Sequence, residues 1–165
     1  MLSNLKKNQS GFTIIEVLIV LAIAGLIMVA VFTAVPALQR NGNNTTKRGD
    51  ASKVLGAVSE FVANNNGKVP LAADAGTITS SANVSSGTTV TVVTGKAAIT
   101  ALASSSDIQV VTGVSCVASP TLVTAATLSA ANFQSIVNAA SARSYAVVYA
   151  VEASGGNITT QCTGS

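Results

Sequence analysis

Phe12–Leu38 reads FTIIEVLIVLAIAGLIMVAVFTAVPAL, 27 residues with a single charge, Glu16. About 20 apolar residues span a bilayer as a helix, so this run is long enough to cross one. It is too long for a removable secretory signal, whose apolar region is about 7–15 residues. A plain membrane anchor explains the length. It explains neither Glu16 nor the Ser10-Gly11-Phe12-Thr13 junction in front of it. Positive charge leaves the orientation open, because Lys6 and Lys7 precede the run while Arg40, Lys47 and Arg48 follow it.

Beyond Leu38 the chain turns polar, QRNGNNTTKR over 39–48. Ala51, Val54, Leu55, Val58, Phe61 and Val62 then recur at three- and four-residue spacing, the apolar stripe of an amphipathic helix. Asn64-Asn65-Asn66-Gly67 stops it, and Pro70 follows. If the helix is continuous, residues 12–64 extend about 80 Å at roughly 1.5 Å per residue. Gly42 and its asparagines loosen the middle. Pro36 is expected to kink or open the helix, since its ring removes a donor and crowds the preceding turn.

Composition narrows the function. Only 9% of the 165 residues are charged, against roughly 25% in an average soluble domain. There is no histidine, so the commonest general base and metal ligand are missing. Net charge is +3 with no long basic run, which gives no indication of nucleic-acid binding. The acids Asp50, Glu60, Asp74, Asp107 and Glu152 are dispersed, and no nucleophile-elbow or phosphate-loop spacing occurs. No catalytic residue, metal site or cofactor is expected. Asn43, Asn44, Asn83 and Asn157 open Asn-x-Ser/Thr patterns, which arise readily by chance in such a chain.

The N-terminus resembles a known family. A short leader with Lys6 and Lys7 ends in Gly11; Phe12 and Thr13 follow; Glu16 is the fifth residue counted from Phe12; an unbroken apolar run comes next. This set, in register, resembles type IV pilins and the pseudopilins of type II secretion. The resemblance is strong over residues 6–38 and general to about 64. It implies cleavage between Gly11 and Phe12 by a prepilin peptidase on the cytoplasmic side, then methylation of the Phe12 amino group. It implies a single-pass protein of the cytoplasmic membrane, held in lipid until an assembly ATPase and an inner-membrane platform protein drive it into a helical homo-oligomer, an extracellular pilus. Gly25 matches a glycine often found in this helix. Pro36 lies later than the family's usual helix-bending proline, and Thr33 stands where that proline is expected. Gly25 and Pro36 are the candidate bend points.

A charge inside a membrane helix is costly, less so near its end. Between packed helices an unpaired carboxylate is costly too. Cleavage before Phe12 creates an ammonium that can pair with Glu16, on the same or a neighbouring subunit, in one axial register only. The bland alternative is that Glu16 reaches the interface at a helix end.

The expected fold class is α+β: a long N-terminal helix, transmembrane then amphipathic, packed on a small antiparallel β-sheet head in a pilin-like layout. The parts are residues 1–11 as leader, 12–38 as membrane and filament-core helix, 39–66 as its amphipathic continuation and 67–165 as head. Strands are expected at 88–94, 108–117 and 144–151, with 158–162 returning as a partner after Gly155-Gly156. A helix is expected over 129–142 and a surface loop over 71–87. Cys116 and Cys162 can oxidise in a head outside the cytoplasm. Their loop of about 47 residues gives roughly 4 kcal/mol in the entropy picture, tying tail to sheet as in many pilins; two free buried thiols are the alternative.

The leading function is a type IV pilin. The alternatives are a pseudopilin of a secretion or DNA-uptake machine, hinted at by Asn66-Gly67-Lys68-Val69-Pro70, and a membrane-tethered binding or enzymatic domain that does not polymerise. Adhesion, twitching and DNA uptake are not distinguished.

Overall fold

The computed structural model describes residues 11–102, 106–117, 122–124, 130–154 and 157–164. The chain divides into two compact units, Met1–Gln39 and Arg40–Ser165. Helix α1, Ile14–Asn64, supplies residues to both. It continues through Gly25, Pro36 and Gly42 without a break. In the first unit, every residue from Gly11 to Gln39 is exposed.

The second unit is an α+β domain. Its sheet runs β1-β2-β6-β7-β4, with β1 Val90–Thr94, β2 Ile108–Thr112, β4 Leu122–Thr124, β6 Tyr145–Glu152 and β7 Asn157–Gly164. Three of its four ladders are antiparallel; β1 and β2 are parallel, which an all-antiparallel expectation missed. The reason is the connection. Residues 95–107 make a 13-residue crossover, the length a parallel pair needs and far beyond a tight hairpin.

Ala51, Val54, Ala57 and Val58 of α1 are buried against one face of this sheet, with Ile108, Val110 and Val147 among their neighbours. The opposite face carries Val111, Ala146, Val148 and Ala150 into a second cluster with Phe133, Ile136 and Val137. Both faces are therefore covered, which is why β2 and β6 read as nearly continuous apolar runs rather than alternating ones.

Three expected elements differ. The run 108–117 is two strands, because Gly113 turns the chain at φ +77, where an L side chain is strained. The second piece, β3 Val114–Cys116, leaves the large sheet and pairs with β5 Val137–Ala139. The helix expected over 129–142 is only α3, Ala130–Ser135. Val137 pairs opposite Cys116 and is fully buried, and that extended pairing ends the helix. The loop expected over 71–87 contains a 3-10 turn, Ala72–Asp74, and α2, Ala75–Ala82. Ile78 and Ala82, four apart, bury against the α1 face, and the Asp74 carboxylate accepts from the Leu71 N–H at 2.8 Å. The stop after α1 is as expected. Asn66 and Gly67 take left-handed φ of 54 and 78, and the Gly67 N–H reaches the Val62 carbonyl at 2.9 Å.

Two polar side chains fix α1 on the domain. Asp50 is 1% exposed. Its carboxylate accepts from Lys53 Nζ, the Ser85 N–H and the Ser85 hydroxyl, each at 3.2 Å, and from the Thr88 hydroxyl at 3.3 Å. Asn44 donates its amide to the Glu152 carbonyl and accepts from the Glu152 N–H, both at 2.7 Å. Its side chain thus pairs with β6 as a strand neighbour does.

Burial raises the Asp50 pKa, but hydrogen bonds from Ser85 and Lys53 outweigh it and hold the carboxyl below the usual range. A lowered folded pKa contributes stability that is present above the unfolded value and lost as pH falls through the folded one. Asp50→Ala is expected to destabilise the domain by about 2–3 kcal/mol, the size of charged hydrogen bonds lost from a buried group. In denaturant titrations the gap from wild type should be full at neutral pH and close in acid, below about pH 3.9. A gap constant down to strong acid counts against the network.

Candidate functional site

The residues expected to be processed stand just before α1. Gly11 and Phe12 are exposed, Phe12 at 89%. A side chain added at Gly11 meets nothing within 4 Å, so packing among the described residues does not require glycine there. The same holds for Gly25.

Thr13 and Glu16 form a reciprocal cap. The Thr13 N–H donates to Glu16 Oε2 at 2.8 Å and the Thr13 hydroxyl to the same oxygen at 2.7 Å. The Glu16 N–H points back to Thr13 Oγ1 at 3.4 Å. This is the Thr-x-x-Glu capping box, which satisfies backbone donors left open at a helix start. The signal is local, in Thr13-Ile14-Ile15-Glu16, and it gives Glu16 a partner besides the two roles expected of it, pairing with the Phe12 ammonium or reaching the interface. Within the subunit Glu16 already has one oxygen satisfied.

Downstream, the Thr33 hydroxyl donates to the Ala30 carbonyl at 2.8 Å, within the helical turn. Pro36 supplies no N–H, so one turn of the ladder lacks its bond.

Far along the chain, Cys116 of β3 and Cys162 of β7 are joined as a disulfide, Cα atoms 5.7 Å apart. The bond fastens the small two-stranded sheet to the large one. Among the described residues no cluster of His, Cys, Asp or Glu is suited to a metal ion. Asn44, opening one Asn-x-Thr pattern, has its amide committed to Glu152.

Residues 6–32 match the prokaryotic N-terminal methylation motif. The chain carries a prepilin-type motif. The motif is typical of type IV pilins and type II secretion pseudopilins, generally non-enzymatic structural proteins. It implies processing by a peptidase and an assembly machinery, and it accords with membrane anchoring through the apolar helix. The matched residues end before the head begins. No curated protein and no solved structure matches the chain.

Thr13→Val should remove the cap while keeping shape, and Thr13→Ser should keep it. Amide exchange in detergent is expected to quicken at Glu16, whose N–H loses the Thr13 hydroxyl, in the first variant only. Separately, reducing the disulfide is expected to lower domain stability by about 4 kcal/mol, for a loop near 46 residues. Unfolding curves with and without reductant measure this; coincident curves refute it.

Proposed function

We propose that the chain is the structural subunit of a type IV pilus. One observation carries the reading: the apolar side chains of α1 from Ile14 to Leu38 are exposed all round, with an 18-residue stretch of mean hydropathy 3.0. Such a surface is stable only in lipid or among other apolar helices. The chain uses both in turn, lipid before assembly and neighbouring copies after it. The working parts are residues 1–11 as leader, 12–38 as membrane and filament-core helix, 39–66 as continuation and 67–165 as head.

Processing and assembly are coupled at the helix start. A prepilin peptidase cuts after Gly11 and methylates Phe12. The new ammonium, one residue before the capping Thr13, pairs with Glu16. Oε2 is held by Thr13, which leaves Oε1 for the ammonium. The pair forms fully only in the axial register that places both groups together. Gly25 and Pro36 serve as bend points. The assembly ATPase and inner-membrane platform act in this step, and the product is extracellular. Its work is structural rather than catalytic.

The disulfide that ties Cys162 of the last strand to Cys116 favours a pilin. The second reading, a pseudopilin, rests on Asn66-Gly67-Lys68-Val69-Pro70 at the exit of α1.

Mass spectrometry of the mature protein should find an N-methylated Phe12 as first residue. An intact leader indicates a non-polymerising tether instead. Surface filaments that vanish on deletion of the gene separate pilus from pseudopilus. Glu16→Lys is expected to be cleaved normally yet to assemble few or no filaments; normal filaments from it refute the pairing.

A further inference from the structure

The second unit hides its large apolar side chains well. Among its described residues the one large hydrophobic side chain left exposed is Leu71, at 58%. An isolated exposed leucine is ordinary on a monomer, so its surroundings decide. Leu71 stands in an open groove of about 460 Å³ with Asn66, Val69 and Ala142, flanked by Lys68 and Arg143. The two cations come from separate segments, the exit of α1 and the turn before β6. Neither side chain makes an ion pair or hydrogen bond among the described residues, and no carboxylate lines the groove.

A second groove, about 200 Å³, adjoins the same end of α1. Glu60, Phe61, Thr77, Ile78 and Ser81 line it between α1 and α2. Its charge is the opposite. Glu60 is exposed and unpaired among the described residues, and no cation lines the groove. Phe61 and Ile78 give it an apolar floor. The two sites are complementary in charge: an exposed leucine between two cations, and a small apolar-floored groove lined by one acid.

We propose that these surfaces join copies of the chain: Leu71 of one copy seats in the Glu60–Phe61–Ile78 groove of the next, with Lys68 and Arg143 beside that copy's Glu60. The occupant is a second copy because its own groove carries the missing charge and an apolar seat together. When each copy engages one patch at a time, the contact is heterologous and, unless it closes a ring, repeats without end as a filament requires; both patches engaged reciprocally would close a dimer instead. An apolar anchor ringed by charge is also the usual anatomy of an energetic interface centre, where the rim charges set partner and register.

This contact rests on the reading of the chain as a filament subunit, and the test separates the two. The full-length chain is expressed in its host, and its native cysteines are already bonded to each other, so added cysteines supply the free thiols. Leu71→Cys with Ser81→Cys is expected to give, on mild oxidation of filaments, a ladder of cross-linked multimers. Leu71→Ser and Glu60→Lys are each expected to cut filament yield at least tenfold. Lys68→Glu with Arg143→Glu should do the same, and combining that pair with Glu60→Lys should restore filaments. All five positions are exposed, so thermal unfolding of each variant in detergent should match wild type and exclude misfolding as the cause. Wild-type filaments with no ladder, a ladder stopping at dimers, or single variants that polymerise like wild type overturn the contact alone. A wild-type chain that forms no filament overturns the subunit reading itself.

Discussion

A single buried carboxylate sets where the C-terminal part of α1 lies on its domain. The apolar residues of that face, Ala51, Val54, Ala57 and Val58, are small and similar in shape. Burying them is favourable but non-directional, and sliding the helix by a turn would replace alanine with valine at little loss. Asp50 removes that freedom. Three of its four donors, from Ser85 and Thr88, lie off the helix and meet it in one position only, and leaving it buried without them is costly. Asn44, six residues earlier, adds a second fixed point at Glu152. Hydrophobic burial supplies the attraction; these two polar groups supply the address.

The two units meet opposite demands. From Gly11 to Gln39 the chain displays its apolar side chains outward. From Arg40 onward it covers both faces of a sheet and, among the described residues, leaves almost no large apolar side chain showing. A surface of the first kind is unsuited to water, and one of the second kind is suited to little else. Helix α1 contributes to each, and the change of character falls where the polar stretch 39–48 begins. The Thr13–Glu16 box belongs to the same logic, because it keeps the polar groups at the apolar end of the helix satisfied within the chain.

Much of this was legible in the sequence. Periodicity marked the α1 stripe, Asn66-Gly67 marked its end, and the β6–β7 pairing followed from two strand-like runs about Gly155-Gly156. What escaped was set by contacts remote in sequence. Its local partner, Lys53, does not distinguish Asp50 from a surface acid, and Ser85 and Thr88, which bury it, are 35 and 38 residues away. Asn44 showed only an Asn-x-Thr pattern that chance readily gives, and its partner lies 108 residues on. The Ser- and Thr-rich stretch that forms α2 has poor helix character, and only the burial of Ile78 and Ala82 makes it a helix. Ile136 and Val137 fit a helical spacing, yet pairing with β3 drew Val137 into a strand. The Thr-x-x-Glu box is the exception: it was local, readable and passed over.

The disulfide has a mechanical consequence. If the domain is pulled by α1 and by its last strand, the force leaves the backbone at Cys116 and re-enters it at Cys162. The chain between them carries no tension. β4, the α3 segment, β5 and all of β6 lie inside that shielded loop. At about 3.3–3.6 Å per extended residue, the bond withholds roughly 150 Å of contour from any stretching. Under strain such a domain yields first outside the loop, around α2 and β1, and reaches its full extension early.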